Sequence, residues 1–176
     1  MKQPCVFFDR DGIVNVSPGP GYVERWEDFR LTPEFPDLLR TARTLGFLAV
    51  VITNQRGVSR GLMTAQAVET IHRNLQELLR RDYGLRLDAI LYCPHAEGAC
   101  TCRKPQPGLL LEAARRHAID LEASWMIGDH ERDVEAGRRA SCRTVLVSDA
   151  PSETRADVVA ADLGELAARF AALLRG

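Results

Sequence analysis

The sequence predicts an α/β fold: a doubly wound, Rossmann-like parallel sheet with helices on both faces and no large cap domain. Three observations carry this. Short apolar runs alternate with stretches of helical period along all 176 residues, the pattern of βαβ units. Those runs are continuously hydrophobic rather than alternating, as in strands covered on both sides. Each of the main ones ends in polar residues, at the rim where open α/β sheets bind ligands. Hydrophobic residues make up 45% and charged residues 27%, as in ordinary globular proteins, and the length suits one domain over residues 1–176.

The first strand, Cys5 to Phe8, is expected at the centre of the sheet and runs straight into Asp9-Arg10-Asp11-Gly12. Residues 13–31 contain Ser17-Pro18-Gly19-Pro20-Gly21 and are expected to form a loop or small hairpin over that strand's carboxyl end. A helix is predicted from Pro33 to Leu45, capped by Thr32, opened by Pro33 and closed by Gly46. Its apolar face is Phe35, Leu38, Leu39, Ala42 and Leu45. The second strand, Phe47 to Ile52, delivers Thr53-Asn54-Gln55, and residues 56–61 read as a loop. A long helix follows Thr64 and reaches about Tyr83, with Val68, Ile71, Leu75, Leu78 and Leu79 at helical spacing. A third strand over Asp88–Tyr92 precedes a cysteine-rich loop, residues 93–106, and a helix over Pro107–Ala118. A fourth strand, Trp125 to Ile127, ends in Gly128-Asp129. The remaining elements are a helix from about Glu131 to Ala140, strands over Thr144–Val147 and Asp157–Val159, and a closing helix over Leu163–Leu174.

A net charge of −1 argues against a broad electrostatic surface for nucleic acid or anionic membrane and leaves room only for a local patch. No stretch approaches the roughly 20 apolar residues of a membrane span, and Met1-Lys2-Gln3-Pro4 enters the first strand without a signal-peptide core. The expectation is a cytoplasmic monomer without nucleic-acid or membrane partners. Of five cysteines, three are bunched between residues 93 and 102, which in a reducing compartment points to metal rather than disulfides. Cys5 and Cys142 read as small apolar core residues.

Asp9 and Asp11, spaced i and i+2 at a strand end, are more than a turn sequence. Two carboxylates that close repel each other, and Mg²⁺, which takes carboxylates together with phosphate oxygens, is the natural counter-charge. Thr53, Asn54 and Gln55 can donate hydrogen bonds to a phosphate oxygen without adding charge. Arg103 and Lys104 supply a planar fork and a compact cation just before a helix. Asp129 arrives at the same rim as Asp9 and Asp11 and is the further Mg²⁺ ligand, with Asp133 one helical turn on to orient the site. Cys93, His95, Cys100 and Cys102 form a closed set of four ligands for structural Zn²⁺, placed to pin the loop that presents Arg103 and Lys104.

In that chain order the motifs resemble the haloacid dehalogenase (HAD) superfamily of phosphohydrolases over essentially the whole length. The resemblance implies that Asp9 attacks phosphorus to form an aspartyl phosphate and that Asp11 protonates the leaving oxygen and then activates water. It implies further that Thr53 and Lys104 stabilise the transferring group, with Asp129 completing the Mg²⁺ site. A general acid needs its proton near neutrality, so a raised Asp11 pKa is expected. Asp9-Arg10-Asp11-Gly12, Gly21-Tyr22-Val23, Thr53-Asn54-Gln55, the zinc loop and Cys102-Arg103-Lys104-Pro105 resemble the heptose bisphosphate phosphatases, which remove the 7-phosphate of D-glycero-D-manno-heptose 1,7-bisphosphate. The phosphatase domain of histidinol-phosphate phosphatase shares the zinc loop and is the alternative; a nucleic-acid end phosphatase and a silent binding module are disfavoured. The implied partner is a small phosphorylated substrate, a sugar bisphosphate, touched by Arg103, Asn54, Gln55, Tyr22 and His130, with Trp26 a second aromatic cover. The chain departs from the family pattern at Ile13 (usually Thr), His130 (commonly Lys) and Ser17-Pro18-Gly19-Pro20, changes that bear on substrate recognition rather than on chemistry.

Overall fold

β1 (Cys5–Phe8) lies inside a six-stranded sheet with β2 (Leu48–Asn54), β3 (Ala89–Cys93), β4 (Trp125–Gly128), β5 (Arg143–Val147) and β6 (Val158–Ala160). Every pairing is parallel and the order is β3-β2-β1-β4-β5-β6. The computed structural model describes residues 1–150 and 153–176. Helices α1 (Phe35–Thr44), α2 (Ala65–Tyr83) and α5 (Leu163–Arg175) cover one face, and α3 (Gly108–His117) and α4 (Glu131–Arg139) the other.

Strand periodicity produces the two layers. Val6, Phe8, Ala49, Val51, Trp125 and Ile127 point into the α1/α2/α5 layer, while Cys5, Phe7, Val50, Ile52 and Met126 point into the α3/α4 layer. All are buried, and each large apolar side chain so buried contributes on the order of 1.5–3 kcal/mol. Right-handed crossovers put α1 and α2 on one face as the chain moves from β1 to β3, and α3 and α4 on the opposite face as it returns past β1 to β5. Cys5 and Cys142 are buried free thiols in the second layer, as expected.

Element order agrees with the sequence reading; several boundaries do not. Helix α1 starts at Phe35, and no side chain caps it. Thr32 is not its cap: its hydroxyl donates to the carbonyls of Ile13 and Val14, and Pro33 therefore lies before the helix rather than at its first position. Residues 14–16 and 30–32 run antiparallel, with Val16 N–H donating to Arg30 O and Thr32 N–H to Val14 O. The 13–31 segment is thus a loop closed at its base, carrying a single 3-10 turn over Trp26–Asp28. Strand β2 continues through Thr53 and Asn54, which pair with Tyr92 and Cys93, so these two residues belong to the sheet and not to the loop after it. No helix among the described residues is long and apolar enough to cross a membrane.

Candidate active site

Strands β1 and β4 are neighbours from which the chain leaves toward opposite faces, which opens a crevice at their carboxyl ends. Asp9 and Asp129 are the residues that follow them. Asp9 N–H donates to Ile127 O at 2.8 Å, extending the ladder to the rim. Gly12, at φ +94°, packs its backbone against Asp129 so closely that a Cβ would lie 2.0 Å from Asp129 Oδ2; only glycine fits there. At Gly128 a Cβ would lie 2.3 Å from that of Asp133, so this glycine lets the first turn of α4 settle onto β4. One carboxylate oxygen each from Asp9, Asp129 and Asp133 then falls within 4.8 Å of the other two.

Lys104 enters this acid cluster from the loop before α3. Its Nζ lies 2.7 Å from Asp9 Oδ1 and 2.6 Å from Asp133 Oδ1, and donates to Ile52 O at 2.9 Å. Three protons meet three partners, which is what a side chain only 2% exposed requires. Asn54 fixes the lysine's backbone from both sides: Lys104 N–H donates to Asn54 Oδ1 and Asn54 Nδ2 donates to Lys104 O, each at 3.0 Å. The peptide between Lys104 and Pro105 is cis.

The charge here is out of balance. Burial, then the neighbouring Asp133, pushes the Asp9 pKa up to about 7 against the opposing pull of Lys104. The same two causes raise Asp129. Burial would lower Lys104, but Asp133 and Asp9 outweigh it and hold the ammonium charged. Three converging carboxylates against one ammonium leave an excess of negative charge bearing hard oxygen donors, which suits Mg²⁺. Asp133, expected to orient the site, binds Lys104 and His130 N–H and has a carboxylate oxygen within the same group.

Asp11 lies apart from it. Its carboxylate accepts from Arg10 Nη2 at 3.0 and 3.1 Å, Arg10 Nε at 3.3 Å, Asn15 Nδ2 at 3.0 Å and Gln55 Nε2 at 3.0 Å. The carboxylates of Asp9, Asp129 and Asp133 are the three that converge, while that of Asp11 faces Arg10. One expectation is corrected here. The Asp11 pKa is lowered rather than raised: burial alone would raise it, but the Arg10 guanidinium and the hydrogen bonds from Asn15, Arg10 and Gln55 prevail.

Cys93, His95, Cys100 and Cys102 come together on the 93–102 loop. The Cys93 Sγ to Cys100 Sγ distance is 3.5 Å, Cys100 to Cys102 is 3.2 Å, and His95 Nδ1 lies 3.6 and 3.3 Å from Cys93 and Cys102. A tetrahedral zinc with Zn–S bonds of about 2.3 Å sets its ligand atoms roughly 3.6–3.8 Å apart, a few tenths of an ångström beyond these distances. Geometry and soft donor set both fit Zn²⁺. Burial would raise the Cys100 thiol, but the hydrogen bonds from Cys102, from the Arg103 and Cys102 backbone and from Cys93 together outweigh it and bring its pKa to about 6, toward the thiolate that binds metal.

The remaining predicted residues divide. Thr53 is buried at the end of β2, its Oγ1 accepting from Gln55 Nε2 at 2.9 Å. Asn54 and Gln55, expected to donate to substrate, instead use their amides within the protein, on Lys104, Thr53 and Asp11. Arg103 is half-buried, and its Nη1 is buried with no hydrogen-bond partner. Tyr22 is half-buried with its ring over Gly57, and Trp26 stacks on Phe29 at 5.0 Å. His130 is the N-cap of α4, its Nδ1 accepting from Arg132 N–H at 3.3 Å while Asp133 Oδ2 accepts from His130 N–H. Arg10, Asn15 and His72 were not anticipated. The available signals were an arginine held between two aspartates at a buried strand end, and a histidine on the apolar face of α2.

The HAD-hydrolase-like family model matches residues 101–166. The chain is 45% identical over 144 residues to D-glycero-β-D-manno-heptose-1,7-bisphosphate 7-phosphatase of Helicobacter pylori strain ATCC 700392 / 26695, covering 81% of this chain and 82% of that one. It is 39% identical over 173 residues to the D-glycero-α-D-manno-heptose-1,7-bisphosphate 7-phosphatase of Mycobacterium bovis, covering 94% and 90%. Among solved structures it is similar to D,D-heptose 1,7-bisphosphate phosphatase from B. bronchiseptica complexed with magnesium and phosphate. That match has a TM-score of 0.82 and 30% identity, and covers 100% of both chains.

Proposed function

This chain belongs to the heptose-1,7-bisphosphate 7-phosphatases of the HAD-like hydrolases, and from that premise we propose that it removes the 7-phosphate of D-glycero-D-manno-heptose 1,7-bisphosphate through an aspartyl phosphate on Asp9. The observation that carries the chemistry is the buried Asp9–Lys104–Asp133 ion cluster beside Asp129 at the β1/β4 crevice. Such a set supports phosphoryl transfer, where catalysis is mainly in-line positioning and offsetting of charge. Asp9, Asp11 and Asp129 would hold Mg²⁺, with the Asp133 carboxylate close beside them. When bound, the ion offsets the charge of these carboxylates and of the phosphoryl oxygens.

In this reading an Asp9 oxygen bonds to phosphorus as the bond to the sugar oxygen breaks, and Asp11 supplies the proton to that oxygen. Asp11 is ionised at rest because Arg10 faces it; the incoming phosphate dianion is the like charge that raises its pKa and lets it carry a proton. Asp11 then takes a proton from the water that attacks phosphorus, releasing phosphate and regenerating Asp9. Lys104 and Thr53 face the transferring group, and Arg103, with an unpartnered buried Nη1, is the residue best suited to recognise the rest of the substrate. His130 and Tyr22 lie at the rim as secondary contacts. Cys93, His95, Cys100 and Cys102 would hold Zn²⁺ as a structural pin. The chain works as a single catalytic unit over residues 1–176, a cytoplasmic monomer acting on a small sugar bisphosphate; its near-neutral charge supports the absence of a nucleic-acid partner.

Phosphate release by the Mg²⁺-loaded protein tests this. Both anomers of the heptose bisphosphate and histidinol phosphate would be compared, with Asp9→Asn as control. The expected result is a kcat/KM at least about tenfold higher for one heptose anomer. Equal or better turnover of histidinol phosphate would overturn the substrate assignment and leave the phosphatase chemistry standing.

A further inference from the structure

Arg10 is the largest fully buried side chain in the protein, at 0% exposure. Its Nε and Nη2 face Asp11, and its Nη1 lies 3.2 Å from His72 Nε2. His72 projects from the middle of α2 and is itself buried. Tyr92 of β3 meets its ring edge-on at 5.7 Å and donates through its hydroxyl to Glu69, one turn earlier on α2. Burial, then the Arg10 charge, lowers the His72 pKa to about 3, so the ring is neutral in the working range and its Nε2 can accept from Arg10. A guanidinium fork with one nitrogen on histidine and two on carboxylate is held in one orientation. Without the histidine, Nη1 would lose a partner in a region closed to water, and the fork would turn to find another.

We propose that His72 is a positioning residue for Asp11, acting through Arg10, which it holds in the orientation that aims the Asp11 carboxylate at the leaving oxygen. The inference rests on the reading of Asp11 as the acid/base group. It makes a demand that a merely structural histidine does not. Misaiming Asp11 slows transfer from a substrate whose alkoxide needs a proton to leave, and spares transfer from p-nitrophenyl phosphate, whose phenolate leaves unaided.

The experiment measures kcat/KM, which reports steps up to formation of the aspartyl phosphate, for heptose bisphosphate and for p-nitrophenyl phosphate. The proteins are the metal-loaded wild type, Asp11→Asn, His72→Leu and His72→Gln. Leucine fills the space without an acceptor; glutamine keeps one. The expected result for His72→Leu is a loss of about 10- to 100-fold on heptose bisphosphate, carried by kcat with KM nearly unchanged. On p-nitrophenyl phosphate its loss should stay below about threefold, and His72→Gln should recover most of the lost rate. Equal losses on both substrates, or no loss in a folded His72→Leu, would overturn the inference while Asp11→Asn still discriminates between leaving groups. If Asp11→Asn fails to discriminate, the acid/base reading falls and the inference falls with it.

Discussion

The acid cluster at the ends of β1 and β4 and the thiol cluster of residues 93–102 meet at Cys102-Arg103-Lys104, yet they are built from different materials. The first gathers carboxylates from two strand ends and the first turn of α4, with a buried lysine among them. Its oxygens are hard donors, too few to fill an octahedral shell, so a cation there keeps positions open for phosphate and water. The second gathers three thiols and an imidazole from one short loop. Four soft donors complete a tetrahedron, and a closed shell has no vacancy for a substrate. The difference teaches where reactivity and rigidity are kept. The charge-unbalanced cluster stands on the rigid sheet, and the four-ligand one, once it holds zinc, would tie down the loop that delivers Lys104.

Breaking the reactive side alone should have the largest effect. Asp9→Asn is expected to lower kcat by about 10⁴-fold or more, with zinc content and circular dichroism unchanged; steady-state phosphate release reads the first and metal analysis the second. Breaking the thiol side should act through stability. Cys100→Ser or Cys102→Ser is expected to cost about 3–4 kcal/mol and lower the Tm by roughly 10 °C, with kcat falling because Lys104 loses its anchor. Thermal melts paired with zinc analysis check this, and a serine variant that keeps its Tm would contradict the structural role.

Acidity separates the clusters next. In the metal-free protein the folded-state Asp9 pKa is raised from 3.8 to about 7, so the folded chain holds more protons than the unfolded one between those values. Stability should therefore fall as pH rises through that window, on the order of 4 kcal/mol in all. Asp9→Asn should flatten the slope, and saturating Mg²⁺ should offset it; urea titrations from pH 4 to about 8 measure both. The smallest effect is expected at the joint between the regions. Asn54→Ala removes two hydrogen bonds to the Lys104 backbone and should cost about 1–2 kcal/mol, with kcat lowered more than KM is raised.

Much of this was legible in the chain. Central parallel strands are buried on both faces, so Val6-Phe7-Phe8 and Val50-Val51-Ile52 stand out as unbroken apolar runs, and the residues that end them mark the rim. The zinc loop was legible because its four ligands are local. What escaped depends on contacts distant in sequence. Thr32 looked like a helix cap because nothing local shows its hydroxyl reaching Ile13 and Val14. Asn54 and Gln55 looked like phosphate donors, but their partners are a lysine from another loop and an aspartate from the loop after β1. The sign of the Asp11 shift was missed for the same reason: burial could be anticipated, whereas the Arg10 fork aimed back at its neighbour could not. Buried Arg10 and His72 read as ordinary polar residues until the fold encloses them.

The central claim is that Asp9 carries the phosphoryl group, and trapping that species tests it most directly. The Mg²⁺-loaded protein would be quenched during turnover of heptose bisphosphate and reduced with borohydride, which converts an aspartyl phosphate to homoserine, and its peptides would be mapped by mass spectrometry. Homoserine at residue 9, absent without substrate and absent in Asp9→Asn, is the predicted result. Homoserine at residue 11, or at neither position while phosphate is still released, would contradict it.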